Sequence, residues 1–277
     1  MSYTALSQFS LLHVGGPDSE RFLQGQLTCD VVALQDKQWT LGACCTAKGR
    51  MVANFVIARQ GEDFWLRLPN EQVAALKQHL SKYIVFFKAK MHEHNQDYRV
   101  AGFIPKALTP TLLTQAQPWQ ETEQGIELTW PDGRKELWLN QAASPEASNN
   151  AWALADINQG LVWVTASTQE AWLPQNINWP QQGGVSFKKG CYTGQEIVAR
   201  LQFLGTNKKQ VVRIESTECL ELAPLQKLED NQGKPIGEVL AWLDTTGLAL
   251  VNAEPPLSQC QAQGQELQIS AALGADE

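Results

Sequence analysis

Short apolar runs parted by turn residues recur through most of this chain, and they limit its fold more than any other feature. Residues 39–45, 51–59 and 64–68 are of strand length, separated by Ala47-Lys48-Gly49-Arg50 and Gln60-Gly61-Glu62-Asp63, whose glycines and polar side chains suit tight turns. They predict an antiparallel meander. Residues 8–14 read as a preceding strand, Gly15-Gly16 as a turn, and Pro17 as the first position of a helix that points Phe22, Leu23 and Leu27 inward. Asn70 is expected to cap a helix from Glu71 to about Tyr83, with Val73, Leu76, Leu80 and Tyr83 on its buried face. Strands are expected again over 85–91 and 98–104, and residues 105–123 read as irregular. Residues 126–130 and 136–139 form a hairpin around Pro131-Asp132-Gly133-Arg134. Ser144 then caps a helix that Gly160 stops. Beyond Gly205 the runs 210–216, 225–228, 236–243 and 248–251 are parted by Asp230-Asn231-Gln232-Gly233 and Asp244-Thr245-Thr246-Gly247, which predicts a small β-barrel or sandwich. The whole reads as an α+β protein.

At 277 residues and 43% hydrophobic content the chain can build two or three domains with real cores. No stretch approaches the roughly 18 apolar residues of a membrane span, and the first residues lack a signal-peptide core, so a cytoplasmic chain without membrane contact is expected. Six cysteines without a C-x-x-C pair or zinc spacing are expected to be free thiols, and no metal site is expected. His92 and His94 fall on one face of a strand or its end and read as a solvated pair. A net charge of −7 argues against broad nucleic-acid binding. The one basic concentration is Lys188, Lys189, Arg200, Lys208 and Lys209, either the place for an anionic ligand or a solvated charged face. Of ten tryptophans, Trp152, Trp163, Trp172 and Trp179 read mostly as core, with one or two lining an aromatic ligand's pocket as the minority reading.

The chemistry concentrates in residues 184–200. Thr193 and Glu196 have capping-box spacing, so a helix is expected from about Gly194, with Ile197, Val198, Leu201 and Leu204 on one face and a left-handed Gly205 at its end. Cys191 lies two residues before that cap, next to Lys188 and Lys189, surroundings that favour a thiolate. The alternatives are that Thr193 and Glu196 only cap a helix and that Cys191 is a small buried hydrophobe.

Phe22-Leu23-Gln24-Gly25-Gln26-Leu27-Thr28, Ala47-Lys48-Gly49-Arg50-Met51, Leu173-Pro174-Gln175-Asn176 and Lys189-Gly190-Cys191-Tyr192-Thr193-Gly194-Gln195-Glu196 together resemble the bacterial YgfZ family of folate-binding proteins, in order over residues 20–209. The resemblance implies kinship with glycine-cleavage aminomethyltransferases and their three-domain ring with a central folate site. The first domain would comprise residues 1–48 plus 145–203, an inserted α+β domain 49–144, and a C-terminal β-barrel 204–277. It further implies that tetrahydrofolate or a derivative is bound, and that Cys191 is the functional thiol. Lys188, Lys189, Gly190, Tyr192, Thr193, Gly194, Gln195, Glu196 and Arg200 would surround the cofactor. A monomer is expected, serving assembly or repair of iron–sulfur enzymes, among them radical enzymes that modify tRNA.

Two positions depart from the family's pattern. Ile157-Asn158-Gln159-Gly160 lacks the arginine usual near the end of the central helix, and Leu204-Gly205-Thr206-Asn207-Lys208-Lys209 lacks those of a later motif. Two other functions compete. One is a thiol-transfer or redox enzyme using Cys191, with Cys29, Cys44 or Cys45 approaching in the fold. The less favoured is an aminomethyltransferase, which needs a carboxylate where this chain has Ala53-Asn54.

Overall fold

A computed structural model describes residues 2–94, 98–140, 150–205, 208–255 and 257–274. Ten strands form one sheet: β1 (Thr4–Ala5), β2 (Phe9–Gly15), β3 (Gln38–Cys45), β4 (Met51–Gln60), β5 (Asp63–Pro69), β6 (Lys90–Glu93), β7 (Tyr98–Phe103), β8 (Gln117–Thr122), β9 (Gly125–Thr129) and β10 (Lys135–Asn140). Their order is β1-β7-β10-β9-β8-β3-β4-β5-β2-β6. The boundary expected between residues 48 and 49 falls in the turn joining β3 to β4, which pair from Trp39↔Ala58 to Cys45↔Met51.

Alternation along the central strands fills two cores at once, because successive side chains leave opposite faces of a sheet. From β4, Ala53, Phe55 and Ile57 enter one core with Phe22, Leu23, Leu76 and Leu80. Val56 and Ala58 enter the other, with Trp39, Leu41, Trp138 and Trp152. Helix α1 (Ser19–Gln24) and helix α2 (Val73–Ile84) cover the first face. The second face meets α3 (Ala151–Asn158), the segment before α4 (Gln195–Leu204), and the outside of a closed six-stranded barrel. The barrel strands are β11 (Lys209–Glu215), β12 (Lys227–Glu229), β13 (Pro235–Leu243), β14 (Thr246–Asn252), β15 (Gln259–Ala262) and β16 (Gln265–Ala271), closed by pairing of β11 with β16. The expected meander, the 126–139 hairpin and the C-terminal barrel are all present.

Several local expectations are corrected. Helix α1 starts at Ser19 with Asp18 as its cap residue, so Pro17 precedes it. Asn70 opens a short 3-10 turn and donates its side-chain amide to the Ser7 carbonyl, while α2 begins at Val73. Residues 85–89 are not a strand: the chain leaves α2 through bonds from Phe86 N to Tyr83 O and Phe87 N to Ile84 O, leaving Val85 and Phe86 in solvent. Inside the stretch read as irregular, β8 pairs with β9 and touches β3, joining the two halves of the sheet. Its only buried side chain is Trp119, too weak a pattern to announce a strand. The expected helix start at Ser144 lies outside the described residues, but Gly160, at φ 68, does end α3.

Candidate functional site

The motif segments, dispersed over the sequence, fold into one knot. Thr28 Oγ1 donates to the Gly184 carbonyl, and Ser186 N–H donates back to the Thr28 carbonyl. Gln175 Nε2 donates to the Val198 carbonyl, and Arg50 Nη1 to that of Ala171. Gly49 packs so tightly that an added side chain would touch Ile197 and Leu173. At the centre, the Lys189 ammonium donates to three backbone carbonyls: Gln24 at 2.8 Å, Leu27 at 2.7 Å and Cys29 at 2.8 Å. Lys189 is 7% exposed, and Tyr192 lies beneath it with its ring centroid 5.2 Å from Nζ. Burial pushes the Lys189 ammonium down to about 8, yet only the charged form can satisfy all three carbonyls at once, so it stays protonated at neutral pH.

The capping-box expectation is not met. Helix α4 begins at Gln195 after Gly194, which adopts φ 86 and makes no side-chain cap bond. A side chain at 194 would collide with the Thr46 carbonyl, so only glycine fits both the space and the conformation. Thr193 turns the other way, its hydroxyl donating to Gln26 Oε1 at 3.1 Å and its N–H to the Gly25 carbonyl. Glu196 stands exposed in the first turn, where its charge suits the positive end of the helix. The helix also closes differently: Gly205 is extended, at φ −92, and of the expected apolar face only Val198 is buried.

Cys191 projects from this knot as an exposed free thiol, with Lys188, Gly190 and Arg200 also exposed. Lys189 points inward, so the pair of lysines expected beside the thiol is reduced to Lys188. The other candidate partners for disulfide chemistry, Cys29, Cys44 and Cys45, are buried. Burial raises Cys29 to about 11, Cys44 to about 12 and Cys45 well above its ordinary value, which leaves these thiols protonated and unreactive. Cys260, inside the barrel, is pushed to about 12.

These groups make the fold sensitive to alkali. An unfolded chain ionises its thiols above their ordinary value of 9, whereas the folded chain resists until about 11 or 12. That stability is present below pH 9 and drains as pH rises. Lys189 opposes it, since its folded value of about 8 lies under the ordinary 10.5 and so adds stability between those pH values. Four thiols outweigh one lysine, so stability should fall by about 3 kcal/mol between pH 8 and 10, readable from urea midpoints. A flat profile would show that the thiols are reached by water in the folded state.

Away from the knot lies a cleft of about 630 Å³ between the start of β2, α3 and the barrel strand β13. Phe9, Trp163 and Trp242 give it aromatic walls, and Glu71 and Asp156 bring carboxylates. None of residues 188–200, and neither Lys208 nor Lys209, lines it. Behind its wall is a buried ion-pair network. Arg67 bonds Glu136 through Nε at 2.8 Å and Nη2 at 2.9 Å, with its guanidinium 4.0 Å from the Phe9 ring centroid and 4.4 Å from that of Trp163. Arg134 pairs with Asp132 and Asp156, both at 2.6 Å, and Trp163 Nε1 donates to Asp156 at 2.8 Å. The bidentate, fully buried Arg67–Glu136 pair and the buried Arg134 bonds hold the adjoining aromatic rings in one orientation. The sequence pointed here only through Trp163, one of four tryptophans of which one or two could line a ligand pocket; the ion pairs were missed, their one signal being an arginine set in the apolar run Phe64-Trp65-Leu66-Arg67-Leu68.

Asn54, standing where an aminomethyltransferase would need a carboxylate, is fully buried. It donates to the Val162 carbonyl and accepts from Val164 N–H, both at 2.8 Å. Asn158, the position at which the chain departs from the family's arginine, accepts from Arg213 Nη1 of the barrel. The histidines at 92 and 94 are not a separate pair, because both pack against His13, with centroids 6.1 and 5.8 Å away. Among the described residues no group of three potential ligands is placed to hold a metal ion, and no helix is long and apolar enough to cross a membrane.

No protein-family model matches the chain. The solved structure of the glycine cleavage system aminomethyltransferase T from Bartonella henselae superposes with a TM-score of 0.66 over 98% of this chain and 84% of that one, at 14% sequence identity, a likeness of fold. The tRNA-modifying protein YgfZ of Escherichia coli O157:H7 (strain EC4115 / EHEC) is 33% identical over 229 residues, covering 76% of this chain and 70% of its own. That of Klebsiella pneumoniae (strain 342) is 35% identical over 270 residues, covering 87% of this chain and 80% of its own. With the four motif segments joined in one knot on an aminomethyltransferase-like fold, and identity of this extent, the chain belongs to the YgfZ family.

Proposed function

We propose that this chain is a cytoplasmic folate-binding accessory protein that supports iron–sulfur enzymes, including those that modify tRNA, with Cys191 as its functional thiol. The observation that carries the folate reading is the cleft. Its volume lies within the roughly 300–1,000 Å³ of small-molecule sites, and its walls are aromatic with a few polar groups. Phe9, Trp163 and Trp242 can sandwich a flat heteroaromatic ring, while Asp156, Glu71 and the Asn70 amide can accept from the amino and ring N–H groups of a reduced pterin. Tetrahydrofolate, when bound, supplies a carrier for one-carbon units. The chain's own residues would bind and orient it. Asn54 supports a binding role over a transfer role, because an amide already bonded on both sides cannot take up a proton. The names of the relatives support the tRNA-related part of the reading. Thiol transfer through Cys191 is the second reading, favoured by that thiol's exposure.

Calorimetric titration with tetrahydrofolate tests the cleft. Trp242→Ala and Trp163→Ala should each weaken binding about tenfold, about 1.4 kcal/mol, with melting curves as the control for folding. No lysine or arginine lines the cleft, so polyglutamate length should matter little. Absence of heat at millimolar tetrahydrofolate would remove the folate reading.

A further inference from the structure

At the end of α4, Phe203 and Leu204 are 67% and 82% exposed, and Phe187 meets Phe203 edge-on with ring centroids 5.4 Å apart. Leaving such side chains together in water is unfavourable and marks a surface that another molecule covers. Cations frame it. Arg200 lies three and four residues before Phe203 and Leu204, hence on the same helix face, and Lys188 directly follows Phe187. Among the described residues neither of these two makes an ion pair. Yet the chain as a whole carries −7, so an unpaired basic rim around an apolar centre is out of keeping with the rest of the sequence. Cys191 opens to solvent on the segment joining Lys188 to α4.

We propose that this surface is a docking face for a protein partner that presents an apolar pocket ringed by acidic side chains. Aromatic and aliphatic anchors within a charged rim are the usual anatomy of a protein interface, the anchors supplying affinity and the rim supplying orientation and rate. A protein fits better than RNA. Leu204, the most exposed anchor, offers no ring for a base, and the net negative charge opposes a phosphate backbone. Docking here sets the partner's surface against Cys191 and leaves the cleft free. The inference is therefore independent of the folate reading, and loss of docking with intact tetrahydrofolate binding separates the two.

Leu204→p-benzoylphenylalanine, irradiated in cells, reads the occupant directly, with mass spectrometry of the cross-linked peptide. The expected product is a cross-link to a protein segment flanked by Asp and Glu. The purified partner so identified should then lose at least tenfold in affinity for the Phe203→Asp/Leu204→Asp double variant. It should lose a similar amount for Lys188→Glu/Arg200→Glu, with the wild-type interaction weakening as salt is raised. All four positions are exposed or at the surface, and melting curves check that the variants fold. Cross-linking to RNA, to a second copy of this chain, to a segment without acidic residues, or to nothing overturns the proposal. So does a partner whose affinity is unchanged by either double variant.

Discussion

Lys189→Met should cost about 3–5 kcal/mol, an effect of the size expected for removing one member of a buried ion pair. Methionine matches the length of the lysine stem and leaves no large void, so the loss is electrostatic. The Gln24, Leu27 and Cys29 carbonyls each lose the donor that satisfies them. An acceptor stripped of its partner in a buried place costs about 1–3 kcal/mol. Desolvating the ammonium offsets part of that, as its lowered proton affinity shows. The damage should be local first. Exchange of the Thr28 N–H, held by the Ala43 carbonyl, should quicken before the barrel melts. Urea unfolding followed by fluorescence gives the total. A loss under 1 kcal/mol would mean that the three carbonyls find other donors and that Lys189 is not the tie between the two motif segments.

Cys191→Ser should do the opposite: abolish function in cells while leaving the protein intact. The side chain is exposed, and substitutions at such positions change stability by no more than about 0.5 kcal/mol. A serine hydroxyl is not a thiolate at neutral pH, so any sulfur chemistry on a partner ends. Complementation of a deletion strain, with iron–sulfur enzyme activity and thiolated tRNA bases as readouts, measures the first part, and melting curves the second. Full rescue by the serine variant would make the motif a folding device.

The difference between these two residues, two apart in sequence, shows what the chain made legible. Residues 189–196 supported the family resemblance, which the relatives bear out, but no periodicity says that Lys189 turns inward while Cys191 turns out. That depends on the carbonyls of residues 24, 27 and 29, more than 150 positions away. Thr193 and Glu196 satisfied a local rule that a left-handed Gly194 overrode. The meander and barrel could be read because their alternation and turns are local. The cleft could not, because Phe9, Asp156, Trp163 and Trp242 come from β2, α3, the loop after it and the barrel. The Arg67–Glu136 pair behind it joins β5 to β10, strands with four others between them in the sheet, through residues 69 apart in sequence.

The proposed function places two sites in one chain, an aromatic cleft that would take tetrahydrofolate and the exposed Cys191 thiol on a separate surface. The rate at which iodoacetamide modifies Cys191, followed by peptide mass spectrometry with Cys219 as the exposed internal reference, tests that separation in one experiment. At a tetrahydrofolate concentration shown by calorimetry to saturate the protein, the Cys191 rate should stay within about twofold of that of the free protein. Tenfold protection of Cys191, with Cys219 unaffected, would place the ligand at the motif and contradict a separate cleft site.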